Sequence, residues 1–156
     1  MRISDASDAA LGISTITGLA VLAQMIFDQQ DLNPTWNALV ETASGDPPNP
    51  GALLNMSMLL QLTGQRETGL AVQHQALSLT RIFKRIHGDG SGLKVLVIVA
   101  EGDFMANTPL DFLLSHSNTT VYFVYATPEG SLPEGLPEHD VAFSRSANPP
   151  QIIRLC

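Results

Sequence analysis

The sequence predicts an α/β chain in an α+β arrangement. A helical segment over residues 1–87 leads through a glycine-rich linker at 88–92 into a small, three-stranded, mostly parallel α/β half-domain over 93–156. Three observations predict it. Apolar residues repeat at helical spacing as far as His87. Gly88-Asp89-Gly90-Ser91-Gly92 then interrupts every periodicity. Beyond it, Leu93–Ala100 is a continuous apolar, β-branched run of the kind found in parallel strands buried on both faces.

Within the first segment, Ser4-Asp5 and Ser7-Asp8 offer caps for a helix reaching Gln29 or Gln30, with Ile16, Leu19, Ala20, Ala23, Ile26 and Phe27 on one face. Asn33-Pro34 starts a second helix, Asn as cap and Pro at its first position, with Trp36, Leu39, Val40 and Ala43 inward. Asn49-Pro50 repeats the device for a third helix, which carries Leu53, Met56, Leu59 and Leu60 inward and stops at Gly64. The fourth is expected from Arg66 to His87 on a stripe of Val72, Ala76, Leu79, Phe83 and Ile86. Arg81, Lys84 and Arg85 in its last turns would oppose the negative end of the helix dipole.

In the second half, Thr108-Pro109-Leu110-Asp111 has capping-box form and opens a short helix to about Ser115. Thr119–Ala126 is a second β-branched strand, which completes a strand-helix-strand unit. Thr127–His139 carries three prolines and two glycines, too long for a hairpin turn, and Asp140–Ser144 is a third short strand. Asn148-Pro149-Pro150 begins one more apolar helix, with Ile152, Ile153 and Leu155. Its stop after two turns raises the expectation that the sequence is part of a longer protein.

Composition narrows the function classes. Hydrophobic residues are 44% and charged residues 15%, enough for a packed core. The net charge is −7, and no stripe of basic residues relieves it, which argues against nucleic acid and anionic membrane as partners. Cys156 is the only thiol, so an internal disulfide and a thiolate metal site are excluded, which fits a reducing, cytoplasmic setting. Leu11–Phe27, the most apolar stretch, is broken by Ser14, Thr15, Thr17 and Gln24 and reads as a core helix rather than a membrane span.

The candidate ligand site is the loop after the first parallel strand, with Glu101, Asp103, Asn107 and Thr108. It stands at the carboxyl edge where ligands of open α/β sheets bind. It lacks the second and third glycines of a dinucleotide loop and the lysine of a P-loop, and its carboxylates would repel phosphate. No catalytic constellation and no metal site is assigned. His139-Asp140 has no neighbouring ligands, and His74, His87 and His116 stand alone.

Two stretches carry a family resemblance. LLQLTGQRETGLAVQHQALSL resembles the turn of a tetratricopeptide repeat spanning about 50–83, with Gly64 at the turn and small Gly69 and Ala76 at close-packing positions; the aromatic positions hold Leu60 and Arg66. GDFMANTPLDFLL, YFVYATP and LPEGLPEHDVAF together resemble the N-terminal region of bacterial tetratricopeptide-repeat proteins that leads into an ATP-grasp-type domain. The resemblance implies a Rossmann-like subdomain ahead of the nucleotide-binding part. ATP and magnesium would then belong to a downstream domain, so no cofactor is assigned to this chain. The function expected is a non-catalytic interaction or scaffold module, with a protein partner or self-association through the helical segment. The alternative is a substrate-binding fragment of a carboxylate ligase or of a repeat-linked glycosyltransferase.

Overall fold

The structure, a computed structural model, describes residues 8–102 and 110–144. Its elements in chain order are β1 (Ser14–Thr15), α1 (Leu19–Phe27), α2 (Asn33–Ala43), α3 (Pro50–Leu62), α4 (Arg66–Leu79), β2 (Ile82–Ile86), β3 (Lys94–Val99), α5 (Leu110–Leu113), β4 (Thr120–Tyr125) and β5 (Val141–Ser144). They form a mixed α/β fold around a five-stranded sheet in the order β1-β2-β4-β3-β5. Strand β3 runs parallel to β4 and to β5, β2 is antiparallel to β4, and β1 is parallel to β2.

Period-two alternation divides the core. Val95, Val97 and Val99 of β3 join Val121 and Tyr125 of β4 and Phe83 of β2 beneath Leu54, Ala76 and Leu77 of the helices. Leu96, Ile98, Val124 and Ile82 point the other way, where Leu132 and Leu136 of the long loop after β4 pack on them. That loop is therefore the cover of the second sheet face. Each fully buried aliphatic here contributes about 1.5–3 kcal/mol relative to exposure.

The helical layer is built around α3, which packs against α4 on one side and α2 on another. Asn49 caps α3, its side chain accepting from the Ala52 amide at 3.0 Å. Gly69 of α4 lies so close to α3 that an added Cβ would stand 2.9 Å from the Ser57 carbonyl oxygen, and Ala76 is fully buried. The cap of α2 differs from expectation. Asn33 is inside the helix, and it is the Asp31 side chain that accepts, from the Asn33 amide at 3.0 Å.

Three larger expectations are corrected. The first helix does not run unbroken from the N-terminal caps: β1 intervenes and α1 begins only at Leu19. Ile13, Thr15, Ile16 and Thr17 are β-branched and favour extended chain, and Gly12 and Gly18 take positive φ on either side of them. The fourth helix does not reach His87. It ends at Leu79, and Ile82–Ile86 is a strand paired along its length with β4. Ile82, Phe83 and Ile86 fit both periods, and tertiary pairing decides: Phe83 meets Tyr125 edge-on, ring centroids 5.8 Å apart. The sheet accordingly has five strands of mixed sense, not three, and takes strands from both sides of residues 88–92. That glycine-rich stretch is itself tied down, the Gly92 amide donating to the Asn118 carbonyl at 2.8 Å. The helix expected at Asn148 and the start of the capping box at Thr108 lie outside the described residues.

Candidate functional site

Two clusters of ionisable side chains flank the sheet. The first is at the carboxyl end of β3, where Glu101 was expected to bind a ligand. Glu101 is engaged by α4 and the segment after it: its Oε1 is 2.9 Å from His74 Nδ1 and its Oε2 is 3.7 Å from Arg81 Nη2. Arg81 also donates to the Ala126 carbonyl at 3.0 Å, so it bridges the ends of β3 and β4. Beside it, the buried Gln73 side chain holds Gly102 on both backbone groups, donating to its carbonyl and accepting from its amide, each at 2.9 Å. The chain thus leaves β3 in a fixed direction. Burial, and then the Glu101 charge, push the Tyr125 phenol far above its ordinary value and keep it neutral. Asp103, Asn107 and Thr108, the other three expected ligand residues, lie outside the described residues.

The second cluster was not assembled from the sequence. Asp111, 5% exposed, is the hub. Its Oδ2 accepts from the Ala20 amide at 2.7 Å, which satisfies a donor in the first turn of α1, where Gly18 precedes the helix and offers no side-chain cap. Its Oδ1 accepts from Arg85 Nε at 3.0 Å. Arg85 comes to the helix side of the sheet because it is two residues beyond Phe83 on the same strand face. His87, 1% exposed, brings Nε2 to 3.1 Å from the same Oδ1. That approach lacks hydrogen-bond geometry, and neither ring nitrogen has a hydrogen-bond partner among the described residues. Burial first and the Arg85 charge second hold His87 below its ordinary pKa, against the pull of Asp111.

Gly18 makes this meeting possible. Its φ is 98°, and a Cβ there would run into the Arg85 side chain and stand 2.8 Å from Asp111 Oδ2. Asn55 of α3 fixes the same turn, its Oδ1 accepting from the Thr17 amide at 3.1 Å. One signal of the cluster is in the sequence: Asp111 is a lone acid among Leu110, Phe112, Leu113 and Leu114, and such a residue needs a buried partner.

The remaining basic and histidine residues separate. Lys84 reaches Asp8 at 2.7 Å on the opposite sheet face from Arg85, so Arg81, Lys84 and Arg85 form no common anion site. His139 Nδ1 is 2.8 Å from the Pro137 carbonyl, and Asp140 accepts from the Lys94 amide at 2.9 Å; both are local bonds at the start of β5. Among the described residues no group of three His, Cys, Asp or Glu side chains is placed to hold a metal ion, and no helix is long and apolar enough to cross a membrane. Compared with family models, with curated proteins and with solved structures, the chain matches none.

Proposed function

We propose that the chain is a non-catalytic interaction module: a tetratricopeptide-like helical hairpin, α3 and α4, carried on a Rossmann-like α/β body, with the flanking helix α2 presented to a protein partner. One observation supports the reading most. Helix α2 lies on α3 at the edge of the helical layer, yet of its side chains only Ala43 is buried. Trp36 and Leu39 are half-covered, and Val40 is 37% exposed. Stacked helical hairpins bury such a face against the next hairpin. The occupant the chemistry fits is a partner helix with an apolar stripe, from another protein or from a second copy of this chain. The resemblance to regions ahead of ATP-grasp-type domains would imply a cytoplasmic setting beside an enzyme domain.

A second reading has its own support. The neighbours of β3 reverse direction in the chain order, β4 on one side and β5 on the other, and open α/β sheets bind ligands at the carboxyl edge of such a reversal. Glu101 stands there. In this reading the loop of Glu101, Asp103, Asn107 and Thr108 contributes one wall of a ligase or glycosyltransferase site.

A thermal-shift screen with ATP and magnesium, nucleotide sugars and amino acids separates the two. The module reading expects no stabilisation that depends on Asp103. Turnover of a nucleotide or sugar donor by the purified chain, lost on Asp103→Ala, would overturn it.

A further inference from the structure

A cleft of about 470 Å3 opens between α1 and α5, on the side of the molecule where Arg85 meets Asp111. This size falls in the range of small-molecule sites, which combine apolar walls with a few directed polar groups. Val21 and Met25 of α1 form one wall and Phe112 of α5 another, with Arg85, Ser115 and His116 among the polar groups. Val21 and Phe112 are large apolar side chains left 40% and 45% exposed, and both belong to this cleft.

Arg85 is oriented before any ligand arrives. Nε donates to Asp111 at 3.0 Å and Nη1 to the Ile86 carbonyl at 2.7 Å, leaving Nη2 without an acceptor among the described residues. The ion pair with Asp111 offsets the Arg85 charge, so attraction of an anion would come from directed N–H groups rather than from a net field. A planar guanidinium suits a carboxylate or phosphate oxygen, and the walls suit a flat apolar body. We propose that this cleft is a binding site for a small organic anion, its charged group on Arg85 and its apolar body between Val21 and Phe112. The site is separate from the outer face of α2 and from the carboxyl edge of β3.

The test uses 1-naphthoate as probe and 1-naphthamide as its neutral counterpart, with amide chemical shifts of the whole chain as readout. Naphthoate is expected to give saturable shifts at Ala20, Val21, Phe112 and Ser115, and naphthamide to bind at least about tenfold more weakly, the scale of one charge-assisted hydrogen bond. Because Arg85 also supports the fold, the decisive variant is Val21→Glu. It places a carboxylate on an exposed wall and should abolish naphthoate binding while leaving the spectrum elsewhere unchanged. Equal binding of the two probes, binding unaffected by Val21→Glu, or no saturable shift with naphthoate would each overturn the proposal.

Discussion

Asp111 and Ala20 are 91 positions apart in the chain, and the carboxylate of one accepts the amide of the other at 2.7 Å. The start of α1 is thereby capped from α5, and through Arg85 the same carboxylate ties both helices to β2. Removing it leaves a partly buried guanidinium without its partner and a helix amide without an acceptor. Asp111→Ala is expected to lower stability by about 1–3 kcal/mol, the cost of losing a charge-assisted hydrogen bond and leaving its donors unpaired. The midpoint and slope of a urea titration measure it.

His87 makes stability depend on pH. Its folded pKa is lowered, so between the ordinary value near 6.5 and the folded value the unfolded chain binds the extra proton. Stability therefore rises with pH across that window and is lost as the pH falls below about 6.5. His87→Gln should flatten this part of the curve relative to the parent protein. Parallel curves for the two proteins would contradict the assignment.

The contact of α3 with α4 depends on Gly69. Its missing Cβ would stand 2.7 Å from Gln61 Cγ and 2.9 Å from the Ser57 carbonyl oxygen, and the second neighbour is backbone that cannot swing aside. A valine gains up to about 0.5 kcal/mol of helix propensity over glycine but costs about 1–3 kcal/mol in overpacking. Gly69→Val is expected to destabilise by about 1–2 kcal/mol, read as a lower thermal midpoint. A neutral or stabilising result would mean the helices do not approach this closely.

Gln73 sets how the chain leaves β3. Gln73→Leu would remove both bonds to Gly102, leave two backbone groups unsatisfied and cost about 1–3 kcal/mol. Faster hydrogen exchange at the Gly102 amide, with exchange in β4 little changed, is the expected local signature.

How much of this was legible in the sequence follows from which interactions are local. Strands β3, β4 and β5, the helix α3, the start of α4 and the Asn49 cap are written in short-range patterns and lie where those patterns place them, whereas the end of α4 does not. Strand β2 was not, because its apolar residues satisfy a helical stripe as well as an alternation, and only pairing with β4 selects the strand. Strand β1, two residues long, pairs with β2 and was hidden for the same reason. The Asp111 cluster draws on α1, β2 and α5, so no spacing rule could assemble it. Glu101 stands at the sheet edge that its position after β3 indicated, but its carboxylate faces His74 of α4 and Arg81 between α4 and β2. A sequence without that helix boundary could not place those partners.

The outer face of α2 is the centre of the functional account, and photocrosslinking tests it most directly. A photoreactive residue at Val40, in the protein as its own cells make it, should give a discrete crosslinked species. The same residue at Asp46, exposed in the turn after α2, should not. Val40→Asp should abolish the adduct formed from a photoreactive residue at Asn37 while moving the thermal midpoint by no more than about 2 °C, as expected for a surface substitution. Equal labelling from positions 40 and 46, or an Asn37 adduct indifferent to Val40→Asp, would contradict the account.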